Sequence, residues 1–309
     1  PLFLALLFSA AIMMIYVIFG GVRSAGFVGI FKLILLYAAV IIGGVTAIRL
    51  AGGFDTIYSS LDHHQYFNLF ARGFGKDGGA GLSLILGFLC TQSYAQALLS
   101  ARTDREAKRG AVMSASLIPP IGIGGILIGL YMRLAMPDLA SAKNVFPMFI
   151  QEHMPSLLTG IIFATLFIAV VGTGAGLSLG ISSIITNNLV KNWKSPQQKL
   201  VVSRLLIVGV LVLACFFSTG KLGDVILNFA FMSMGLRAAV VFAPLACALW
   251  WKGRVDAKWA AAAVVAGPLV VLVFGLLNVL PFDPLFLGIA AAIVLCVIGA
   301  AGKKDPARL

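Results

Sequence analysis

Residues 156–188 read SLLTGIIFATLFIAVVGTGAGLSLGISSIITNN, thirty-three positions without one charged side chain. A helix needs about 20 apolar residues to cross the hydrocarbon core of a bilayer, and this run exceeds that. Strands of an outer-membrane barrel would instead be short and alternating. The stretch is too long and continuous for a core helix of a soluble domain. It reads as a membrane-spanning helix, and the rest of the chain follows from it.

Outward from this run, the composition agrees. Of 309 residues, 60% are hydrophobic and 11% charged, with mean hydropathy +1.03. Soluble domains carry about 25% charge, so a polar shell cannot be built here. A soluble enzyme, a disordered chain and a secreted disulfide scaffold are excluded on that ground. Apolar runs bounded by charge, Gly or Pro predict nine spans, near 2–19, 26–48, 81–101, 111–134, 156–188, 200–218, 223–251, 257–279 and 284–302. The predicted fold is an all-α polytopic membrane protein. The chain opens at Pro1 directly in an apolar segment, so we expect it to be part of a longer protein.

The excess of 23 Lys and Arg over 11 Asp and Glu falls in alternate loops and does not form a nucleic-acid patch. Fifteen cations lie on one side of the nine-span arrangement, chiefly at 102–109, 191–204, 252–258 and 303–308, against six on the other. The positive-inside rule makes the first side cytoplasmic. The chain is thus expected in the cytoplasmic membrane with its C-terminus inside. Cys90, Cys215, Cys247 and Cys296 all fall in apolar stretches and read as packed thiols.

Particular residues stand out against the apolar background. Gly172, Gly176 and Gly180 form a ridge at i, i+4, i+8 that would let another helix approach closely. Thr173 beside it either bonds back to its own helix or serves as a cation ligand. Gly87 sits where the third span is expected to break, with Thr91, Gln92 and Gln96 beyond it. Polar side chains at that depth face a protein interior or a wet cavity. Pro119-Pro120 should bend the fourth span. Arg237, deep in the seventh, either bonds backbone carbonyls or attracts a carboxylate on a solute. No nucleophile–base pair or metal triad is visible, so no covalent chemistry is implied and the protein is not read as an enzyme.

Several motifs together carry a family resemblance. Gln92, Gln96-Ala97, Ser100-Ala101-Arg102 and Ala107-Lys108-Arg109-Gly110 run from the third span into the next loop. Tyr16…Gly20-Gly21, Leu157 to Thr186-Asn187-Asn188, and Trp251-Lys252 follow in matching order. This pattern resembles the sodium:solute symporter family, whose core is LeuT-like, with two inverted five-helix repeats. The resemblance implies that residues 1–48 end the first repeat, 81–251 form the second, and 257–302 are two helices outside the core, all in one transmembrane transporter domain. It also places the broken first core helix upstream of Pro1.

The resemblance further implies a sodium site on the eighth core helix, made by two adjacent hydroxyls. Here the pair is Gly172-Thr173, so one ligand is missing. The carboxylate usual near the start of the fifth core helix is Gly29, and a Gln there is Lys32. Lys32 is either a snorkelling lysine or a fixed cation in place of sodium, able to take up and release a proton. Sugar-transporting members carry aromatics at the positions of Gly87 and Phe88; Gly87 argues against a stacked sugar. The implied function is a secondary active transporter of a small organic solute, an anion where Arg237 attracts it, with no cofactor beyond sodium or proton. The alternative is a membrane sensory domain of the same architecture.

Overall fold

The computed structural model describes residues 2–139, 142–190, 193, 195–218, 226–277 and 279–302. Among them all regular structure is helical: α1 (Leu2–Leu50), α2 (Phe54–Ser60), α3 (His63–Tyr66), α4 (Phe74–Leu89), α5 (Gln92–Leu99), α6 (Asp104–Ala135), α7 (Val145–His153), α8 (Ser156–Ile184), α9 (Pro196–Ser218), α10 (Ile226–Trp250), α11 (Ala257–Leu277) and α12 (Leu285–Ala301). A 3-10 turn, Ala142–Asn144, precedes α7, and a π-turn, Ile185–Leu189, extends α8. Six helical segments are long and apolar enough to cross a membrane. At most 28% of each such window is buried against protein, so most of the apolar surface is left for lipid.

The predicted spans map onto these helices with two exceptions. The first two spans are joined in one continuous helical element, α1, but its two halves run in opposite directions along α8. Phe8 and Met13 meet Phe167 and Gly174, whereas Lys32, about 28 Å beyond Met13 on a straight helix, returns to Gly172. Gly20 and Gly21 lie between the two halves. The third span is an interrupted pair, α4 and α5, of 16 and 8 residues. The other spans fall on α6, α8, α9, α10, α11 and α12.

The chain packs as two units, each discontinuous in sequence. The first comprises residues 1–63 and 102–220, the second 64–101 and 221–309. In the first, α1 packs against α6, α8 and α9. The α1–α6 crossing is close because Gly124 faces Val40: a Cβ on Gly124 would lie 2.8 Å from the Val40 carbonyl oxygen. Tyr37 adds a hydrogen bond from its hydroxyl to the carbonyl of Leu117, just before Pro119-Pro120. Ile128, Met132, Phe149, Ile150 and Ile162 form the buried core where α6, α7 and α8 meet. Buried Ser182 joins α8 to α9 by bonding Ser203 at 2.7 Å, hydroxyl to hydroxyl.

In the second unit, α10, α11 and α12 pack on Ala243, Ala263, Ala292 and Cys296. Helix α4 lies on α10 through Leu86, Ala238 and Leu285. Arg72, ahead of α4, pairs with Asp77 in its first turn. The Arg72 backbone N–H and guanidinium hold the Asp77 carboxyl below its ordinary range.

The glycine ridge of α8 is not used as expected. A Cβ on Gly176 or Gly180 would meet nothing within 4 Å. The close approach is instead at Gly174, where a Cβ would lie 2.8 Å from the Met13 sulfur of α1. The buried face of α8 is the one bearing Val171, Ala175, Ser178 and Ser182. Small residues permit close packing, but the hydroxyl-bearing face of α8 is the one that meets α1 and α9.

Candidate functional site

The sequence-derived residues fall into two clusters, one in each unit. In the first, Gly29 and Lys32 stand on α1, and Gly172 and Thr173 on α8. Lys32 and Gly29 are three residues apart and share a helix face. Lys32 is half-buried, and its Nζ lies 3.8 Å from where a Cβ on Gly172 would stand. At that distance a side chain at 172 would make ordinary van der Waals contact with the ammonium. Around Gly29 there is open space.

Thr173 is exposed, and its hydroxyl donates to the Ala169 carbonyl at 2.8 Å. Of the two readings, the back-bond to its own helix is the one observed. Its lone pairs could still face a cation, but Gly172 supplies no side-chain oxygen. A cation near 4 Å from the Lys32 ammonium would meet a repulsion of about 4 kcal/mol at an effective dielectric of about 20. Helix α8 carries no titratable residue from Ser156 to Ile184, so nothing on it offsets that charge. At this pair α8 supplies one side-chain hydroxyl, beside an ammonium.

The second cluster lies on α4, α5 and α10. The helix breaks at Cys90-Thr91, three residues beyond Gly87, where the break was expected. Gly87 stays helical and buried, and a Cβ there would lie 2.8 Å from the Met234 carbonyl oxygen and 2.9 Å from its Cα. Its role is close packing of α4 against α10. Phe88 is exposed, with its ring 5.3 Å from that of Tyr94. Gln92 opens α5 and is half-buried. The Gln96 side chain lies outside the described residues.

Thr91, 7% exposed, closes the broken end by donating its hydroxyl to the Gly87 carbonyl at 2.6 Å. The same oxygen accepts from Arg237 Nη1 at 3.0 Å, while Arg237 Nη2 donates to the Ser233 hydroxyl at 3.0 Å. The Met234 sulfur lies 3.7 Å from Nη1. Arg237 therefore uses side-chain hydroxyls, where the sequence suggested backbone carbonyls or a ligand. It borders a cleft of about 530 Å³ lined also by Cys90, Met232, Ser233, Leu236, Val240 and Val241. Ser233 was not foreseen from the sequence, although its place four residues before Arg237 is the spacing that brings helix neighbours together.

An all-helical chain with membrane-length apolar helices, an interrupted helix and polar groups at the break is built as a membrane transporter is. Residues 1–267 match the model of the sodium:solute symporter family, and the chain belongs to that family. It is 24% identical over 315 residues to the sodium/glucose cotransporter of Vibrio parahaemolyticus, covering 86% of this chain and 56% of that protein. The chain thus spans little more than half the length of this curated relative. Its fold matches the structure of a Na+-coupled sialic acid symporter in a substrate-bound outward-open state, with TM-score 0.75 and 17% identity, over 99% of this chain and 68% of that one. The partial LeuT-like architecture expected from the sequence agrees with this likeness.

Proposed function

We propose that the protein is a secondary active transporter that moves a small organic solute across the cytoplasmic membrane by alternating access. The observation that carries this reading is the α4–α5 interruption at Cys90-Thr91, in a chain of this family. Transporters of this build bind solute near the midplane, where a helix is broken and its polar backbone faces a cavity. Thr91, Gln92 and Gln96 lie at or just beyond that break. Coupling runs through sodium, or through protons where Lys32 stands in for sodium beside Gly172 and Thr173.

Uptake by the full-length protein in proteoliposomes tests the reading. A transporter accumulates solute against its gradient when an ion gradient is imposed. A sensor of the same architecture binds the solute without accumulating it, and that result would overturn the proposal.

The orientation makes a separate prediction. In a cysteine-free background, Ser195→Cys and Gly253→Cys should be shielded from an impermeant thiol reagent in intact cells, while Ser60→Cys should label. These positions flank the cation-rich loops at 189–199 and 252–258 and the cation-poor loop at 49–80. Labelling at 195 and 253 but not at 60 would invert the topology.

A further inference from the structure

Arg237 carries a charge that the described residues orient but do not neutralise. It stands half-buried on α10, within the apolar span Met232–Trp250. A guanidinium at such depth is costly unless paired or wetted. Its partners are the hydroxyls of Thr91 and Ser233, at 3.0 Å each, and the sulfur of Met234. All three are neutral. Among the described residues no carboxylate pairs with Arg237.

These contacts fix the plane of the guanidinium at both Nη atoms. Thr91 is itself fixed, because its proton is committed to the Gly87 carbonyl. With five N–H donors on the fork, some are left over for a ligand. They border the cleft of about 530 Å³, whose other walls include Met232, Leu236, Val240 and Val241. The cleft is largely open, an apolar wall with few polar groups.

We propose that this cleft binds a small organic monocarboxylate with a compact apolar body. Arg237 forms the paired hydrogen bonds to the carboxylate that guanidinium geometry favours, and the body lies against Met232, Leu236 and Val240. A neutral polyol would leave the guanidinium unpaired in apolar surroundings. A dianion would bring a second charge with no cation on these walls to meet it. The proposal rests on the transporter reading and supplies its solute class.

The test uses full-length protein with butyrate, hexanoate and benzoate as probes, each beside its neutral amide. Binding is measured in detergent by thermal shift and calorimetry, and uptake separately in proteoliposomes. At least one acid should bind at least tenfold more tightly than its amide. Arg237→Gln should remove that preference, and Arg237→Lys should retain part of it, because a point charge keeps attraction without the fork. Should Arg237→Gln fail to fold, Ser233→Ala takes its place, with a weaker preference for the acid expected.

Equal binding of acids and amides, or an acid preference kept in a folded Arg237→Gln protein, would overturn the site. An Arg237-dependent acid that binds but is never accumulated would leave the site standing and overturn transport. Accumulation of a neutral solute untouched by Arg237→Gln would do the reverse.

Discussion

Replacing Lys32 with alanine is expected to lower sodium-free uptake by the full-length protein at least tenfold. The expectation begins with geometry. The Lys32 ammonium lies beside Gly172, and the adjoining Thr173 has its hydroxyl proton bonded back to Ala169. No titratable side chain on α8 offsets the charge. Among the described residues no carboxylate pairs with Lys32. Other charges on the helices packed against α1 sit toward helix ends, such as Arg105, Lys108 and Arg133 on α6 and Lys199 and Arg204 on α9. The fixed cation beside Gly172 is the ground for expecting Lys32 to stand in for sodium.

Three variants separate the possible roles. Lys32→Arg keeps the charge on a wider, planar head, so it should retain part of the sodium-free uptake. Lys32→Gln keeps the length and removes the charge, and should behave as alanine does. A lysine that merely snorkels to the interface would leave uptake and its pH profile unchanged in every variant. A wild-type protein that needs sodium at every pH, with the same need in Lys32→Gln, would sink the idea.

The membrane class was legible because lipid imposes a one-dimensional rule. An uncharged run such as 156–188 has few alternatives, and it became α8 and its π-turn within a residue or so of the expected ends. What sequence could not supply was set by neighbours in space. Gly87 reads as a hinge by its freedom, yet it serves to admit the Met234 backbone. The hinge fell at Cys90-Thr91, where a hydroxyl could take up the Gly87 carbonyl.

The candidate residues show the same division. Lys32 Nζ stands beside Gly172. Arg237 was marked by its cost in an apolar span, but its partners Thr91 and Ser233 are separated from each other by more than a hundred residues, one at the α4–α5 break and the other on α10. Only Ser233 shares its helix with Arg237, and only that pairing was within reach of a spacing rule.

Gly267→Val should be among the most damaging single changes outside the two clusters. A Cβ on Gly267 would lie 2.6 Å from the Ala239 carbonyl oxygen on α10 and 3.2 Å from the Gly288 oxygen on α12. Both are backbone atoms, so no side chain can turn away to make room. Gly288 faces back across the same junction, its own Cβ position 2.8 Å from the Gly267 oxygen. Three apolar helices therefore meet almost backbone to backbone, with buried Ala239 at the crossing. Overpacking a core costs about 1–3 kcal/mol when side chains can shift, and here α11 itself must move. Gly176→Ala is the matched control, since a Cβ there meets nothing within 4 Å and alanine improves helix propensity by about 1 kcal/mol. Melting of the detergent-solubilised protein, followed by size-exclusion chromatography, should show Gly267→Val well below wild type and Gly176→Ala level with it or above. The reverse order would mean that α10, α11 and α12 do not meet through these glycines.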